Sequence, residues 1–127
     1  MKIFIAERSE VVRDRLKSFL QELPGVEIVG ETNAYENILE LVSAKKPEIV
    51  ILNFHTPNNS GFPILTQLKK NTPQPIVMVM TNYSAQEYMT VCLQSGADYF
   101  FDKTYDQEKI IEIVKDHLSD SKGGSHD

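Results

Sequence analysis

A chain of 127 residues has room for one domain with a substantial core and too little for two ordinary ones. Its 41% hydrophobic and 24% charged content is that of a globular protein, and a net charge of −5 argues against a general nucleic-acid-binding surface. Neither the short apolar run Ile3 to Ala6 nor any other stretch has the length of a signal peptide or a membrane span, so a soluble, cytoplasmic protein is expected.

Short apolar runs alternate with amphipathic runs of helical period, which argues for a parallel sheet covered by helices on both faces. The first strand is Lys2 to Ala6. Ser9 has the character of an N-cap, and Val12, Leu16, Phe19, Leu20 and Leu23 recur at helical spacing until Pro24 and Gly25 end the run. Val26 to Gly30 is the second strand, followed by a helix from Tyr35 to Lys45 with Ile38, Leu41 and Val42 on one face. Pro47 introduces the wholly apolar run Ile49 to Leu52, which reads as a central strand buried on both faces. It breaks at Asn53 into a loop of Pro, Asn, Ser and Gly.

Phe62 to Lys70 is a short helix stopped before Pro73, and Pro75 to Met80 a fourth strand. Ser84 caps the next helix, whose stripe is Ala85, Met89, Cys92 and Leu93 before Gly96 closes it. The lone Cys92 cannot form an internal disulfide, and within that stripe it reads as a small buried hydrophobe in a reducing cytoplasm. Asp98 to Phe101 is the fifth strand. Asp106 to Leu118 is the last helix, with Ile110, Ile113, Val114, His117 and Leu118 facing inward or nearly so. The folded domain is expected to span residues 1–119, with 120–127 a polar, disordered tail.

In a sheet of this kind chemistry gathers at the carboxyl ends of the strands. Just past the ends of the first, third, fourth and fifth strands lie Glu7 and Arg8, Asn53, Thr81, and Lys103, which right-handed crossovers bring to one edge. No Gly-rich phosphate loop of the GxxxxGK[ST] or GxGxxG kind is present, His55, His117 and His126 lack metal-site spacing, and no catalytic triad is visible. No enzymatic activity is expected.

The strand and loop KPEIVILNFHTPNNSG from Lys46 to Gly61, Thr81, and GADYFFDK from Gly96 to Lys103 together resemble the receiver domain of bacterial response regulators. The resemblance covers Met1 to about Ser119. It implies a CheY-like, flavodoxin-like doubly wound α/β fold, with a five-stranded parallel sheet in the order 2-1-3-4-5 and helices on both faces. It makes Glu7, Arg8, Asn53, Thr81 and Lys103 the pocket, and Thr81 and Phe100 the switch pair. Asn53 is the phosphoacceptor equivalent.

Three departures from the family pattern are specific. Arg8 replaces the second acid of the pair after the first strand, Asn53 replaces the phosphoacceptor Asp, and Thr104 stands where the family usually has Pro. A neutral amide oxygen is a poor nucleophile and cannot form a stable acyl phosphate. The family pocket carries about −2, whereas Glu7, Arg8, Asn53 and Lys103 amount to about +1. Mg²⁺ binding at the degenerate site of Glu7, Asn53 and His55 is therefore expected to be weak or lost. Arg8 has two readings: a built-in cation bridging Glu7, Asn53 and loop carbonyls where the metal would sit, or a side chain turned to solvent.

The resemblance implies an atypical receiver acting by protein–protein interaction without phosphotransfer. Its partner would be a histidine kinase or a downstream effector. A homodimer through the fourth helix, fifth strand and last helix is the other arrangement implied, with Tyr88, Val91, Tyr99 and Phe101 as the interaction face. Two further readings stay open: an ordinary phosphoacceptor receiver carrying an inactivating substitution at Asn53, alone or together with Arg8, and a small-ligand-binding domain on the same scaffold.

Overall fold

The computed structural model describes residues 1–54, 61–71, 73–81, 86–102 and 107–123. Strands and helices alternate in the order β1 (Lys2–Ala6), α1 (Glu10–Gln21), β2 (Glu27–Thr32), α2 (Ile38–Lys45), β3 (Ile49–Phe54), α3 (Gly61–Leu68), β4 (Ile76–Thr81), α4 (Gln86–Gln94), β5 (Tyr99–Asp102) and α5 (Gln107–Gly123). The five strands form one parallel sheet in the order β2-β1-β3-β4-β5, the expected doubly wound arrangement.

Strand alternation divides the core into two layers. Phe4, Ala6, Val50, Leu52, Val77 and Val79 point to one face, where Ile38 and Val42 of α2, Leu65 and Leu68 of α3 and Cys92 of α4 cover them. Ile3, Ile5, Ile49, Ile51, Met78, Met80 and Phe101 point to the other, under Leu16 and Leu20 of α1 and Ile110 and Val114 of α5. The apolar run of β3 is thus buried on both sides, and each such side chain contributes about 1.5–3 kcal/mol.

Ser9 caps α1 as its sequence position suggests, its Oγ accepting from the backbone N–H of Val12 at 3.3 Å. Ser84 and Ala85 lie outside the described residues. Gly96 closes the α4 turn with φ 118°, where an added Cβ would lie 2.7 Å from Lys69 Cγ, so both backbone and space require glycine there. Lys69 itself donates from Nζ to Pro75 O at 2.8 Å and to Asp98 Oδ2 at 2.6 Å, tying the end of α3 to the starts of β4 and β5.

The elements depart from the sequence reading where local patterns meet tertiary contacts. β2 continues to Thr32 instead of stopping at Gly30, because Glu31 and Thr32 still pair with Ile5 and Ala6 at the sheet edge, where polar residues cost little. A 3₁₀ turn at Tyr35–Asn37 precedes α2. Phe19 and Leu93, both expected inside, are 44% and 43% exposed. Each stands one residue from the inward stripe, and one residue turns a helix by about 100°. α5 runs on to Gly123, beyond the boundary expected at Ser119, since nothing before the Gly123-Gly124 pair breaks a helix. Residues 124–127 lie outside the described residues. Among the described residues no helix is long and apolar enough to cross a membrane.

Candidate functional site

The register of the sheet dictates what meets at its carboxyl edge. Ala6 pairs with Leu52, so the next residues along, Glu7 and Asn53, are neighbours. Farther along the same edge Phe54 pairs with Thr81, and Thr81 with Asp102. Glu7, Asn53 and Thr81 are almost fully buried, at 1%, 1% and 0% exposure, and they are polar residues at the ends of otherwise apolar strands. Such groups must find partners inside the protein.

Glu7 and Asn53 find each other. Asn53 Nδ2 donates to Glu7 Oε1, and the backbone N–H of Ser9 donates to Glu7 Oε2 at 2.7 Å. The backbone of Glu7 is also held: its N–H donates to Thr32 O at 3.0 Å, and its carbonyl accepts from Arg13 Nη1 at 2.8 Å. Arg13 was not visible as a site residue in the sequence. Its signal depends on knowing that β1 and β2 are neighbours, which places Glu31 within its reach.

Arg8 does not take the bridging place. It is exposed and lines a shallow surface cavity with Asn33, Ala34 and Glu36, and among the described residues it makes no bond to Glu7 or Asn53. The reason is alternation at the strand end: with Glu7 turned inward, its neighbour turns out. His55, Lys103 and Thr104 lie outside the described residues, as do Pro57 and Ser60 of the loop after β3.

A Mg²⁺ ion, which the receiver resemblance implies, does not suit this donor set. A hard dication needs several oxygen ligands with net negative charge. Here the acid after β1 already accepts from an amide and a backbone N–H, its neighbour is an arginine, and Asn53, the next-to-last residue of β3, is a neutral amide. Among the described residues no group of three or more His, Cys, Asp or Glu side chains could hold an ion.

The proposed interaction face is smaller than its sequence suggested. Phe101 is 4% exposed and belongs to the α1/α5 core, while Phe100 packs against the other layer beside α4. Tyr99, turned to the same side as Phe101, stacks on it with ring centroids 6.1 Å apart, and its Oη lies 3.1 Å from His117 Nε2 on α5. Val91 is 40% exposed on α4, and Tyr88 lies in that same helix.

This geometry defines an open parallel α/β domain whose polar site sits at the carboxyl edge of its sheet. Residues 3–115 match the response regulator receiver domain, and the chain belongs to that family. It is 30% identical over 115 residues to the sensory transduction protein LytT of Bacillus anthracis, covering 91% of this chain and 46% of that one. It is 29% identical over 122 residues to the uncharacterized transcriptional regulatory protein YhcZ of Bacillus subtilis, covering 96% and 57%. Among solved structures, the CheY-like receiver domain protein from Methanospirillum hungatei JF-1 superposes with a TM-score of 0.80 at 20% identity, over 97% of both chains. The chain spans about half the length of these curated relatives.

Proposed function

We propose that this chain is an atypical receiver that acts in the cytoplasm by protein–protein interaction and without phosphotransfer. The observation behind this reading is the buried bond from the Asn53 amide to the Glu7 carboxylate. Phosphotransfer needs a carboxylate oxygen at the end of the central strand to attack phosphorus, and a cation to neutralise the transferring group. Asn53 offers a donor where a nucleophile is required, and it satisfies by a neutral contact the acid that would otherwise ligate the ion. The amide of Asn53, not Arg8, is thus the built-in replacement for the metal.

Output then passes through surface contacts. The candidate surface is the outer side of α4 around Val91, continuing over β5 and α5. A histidine kinase, a downstream effector or a second copy of the chain are the partners in keeping with its family.

A second reading has its own support: Glu7 and Thr81 keep buried places at the site although Asn53 cannot be phosphorylated. On that reading the chain is an ordinary receiver disabled by Asn53. Incubation with acetyl phosphate followed by intact-mass measurement tests both. The chain is expected to gain no phosphoryl group, whereas a gain of one phosphoryl group in the parent chain would refute the proposal. Phosphorylation of Asn53→Asp alone, with Arg8 left in place, would favour the second reading.

A further inference from the structure

The corner between β1 and α1 contains a contact that the pocket chemistry does not explain. Among the described residues, four hydrogen bonds converge on Glu7, from Asn53 Nδ2, Ser9 N and Arg13 Nη1 and to Thr32 O. Three of these come from the pocket or from backbone already fixed by the fold. The fourth comes from a long side chain on α1. Arg13 Nε donates at the same time to Glu31 Oε1 at 2.7 Å, and Lys17 Nζ donates to Glu31 Oε2 at 2.6 Å. The Arg13 side chain is 13% exposed, so it is enclosed between α1 and β2. A planar fork holds two acceptors in a fixed relation, whereas a freely rotating ammonium on a shorter reach imposes none.

We infer that Arg13 is a positioning residue of the pocket: it pins the Glu7 backbone, and so the carboxylate facing Asn53, with Glu31 as its anchor. The alternative is that the ion pair merely fastens α1 to β2, with no bearing on the pocket. The two differ in what an ammonium at this position would do. Arg13→Lys keeps a charge opposite Glu31 but lacks the second arm that reaches the Glu7 carbonyl. The inference holds whether or not the pocket can be phosphorylated, so it stands apart from the functional proposal.

The test is NMR on the ¹⁵N-labelled full chain, following the Asn53 side-chain amide and the Ser9 backbone amide. Arg13→Lys is expected to shift both signals and to speed hydrogen exchange of the Asn53 amide about five- to tenfold, the effect of losing one hydrogen bond. Lys17→Ala, which loosens only the outer side of Glu31, is expected to leave both signals in place. Unmoved signals in Arg13→Lys, or equal movement in Lys17→Ala, would overturn the inference. Should Arg13→Lys not fold, Glu31→Gln weakens the anchor while keeping Arg13. It must then shift the same two signals, and their constancy would overturn the inference equally.

Discussion

Asn53 donates its side-chain amide to Glu7 across two adjacent strand ends, inside a pocket where both residues are 1% exposed. A carboxylate at position 53 would face the Glu7 carboxylate with no proton between them, and like charges at such range disfavour ionisation of both. Asn53→Asp is therefore expected to lower stability by about 1–3 kcal/mol at neutral pH. Added Mg²⁺ should restore part of that loss in the variant and leave the parent unchanged, because only an ion that binds the folded state stabilises it. Urea unfolding with and without millimolar Mg²⁺, then with EDTA, measures both effects.

The Glu31 cluster sets a pH dependence away from the pocket. Its hydrogen bond from Lys17 holds the Glu31 carboxyl below its ordinary value of 4.5, with Arg13 acting the same way and burial opposing both. A depressed carboxyl stabilises the fold above its unfolded pKa, and that contribution disappears as pH falls through the folded pKa. Lys17 is raised above 10.5, chiefly by the hydrogen bond to Glu31, so its share is present below that value and vanishes as pH rises through the raised pKa. Glu31→Gln should flatten the acid side of the stability profile, measured as the urea midpoint from pH 6 down to pH 3.

Much of this architecture was legible in the sequence because β3 and β4 are continuous apolar runs between breakers, a pattern that admits few alternatives in a chain of this length. The parallel sheet followed from that alternation, and its strand order from the family resemblance. Phe19, Leu93 and Phe101 were harder. Helical spacing alone does not say which of two adjacent apolar residues faces the sheet, and strand parity is ambiguous where Tyr99, Phe100 and Phe101 are all aromatic. Arg8 and Arg13 show the same difficulty with charged residues. Both lie near Glu7 in sequence, but Arg8 turns out by alternation at the strand end, while Arg13 is drawn in by Glu31 of the neighbouring β2.

Cys92 gives a probe of the core on the α2/α3/α4 side. Burial pushes its thiol up to about 11, so little thiolate exists near neutral pH, and its surroundings exclude reagents. Alkylation by iodoacetamide at pH 8 should be slow in the folded chain and rapid in urea. Equal rates in both conditions would mean that α4 opens readily. Cys92→Ser should destabilise by about 1–3 kcal/mol, since it places a hydroxyl among Leu65, Leu68 and Val79.

The most direct test of a pocket that has lost phosphotransfer is an NMR titration with Mg²⁺ and beryllium fluoride, a mimic of the phosphoryl group on a carboxylate. The parent chain is predicted to show no shifts at Asn53, Thr81 or Phe100, and Asn53→Asp combined with Arg8→Asp to show large ones at Thr81 and Phe100. Shifts running from Thr81 to Phe100 in the parent would contradict the account, since they would mean that the Asn53 pocket still captures the mimic.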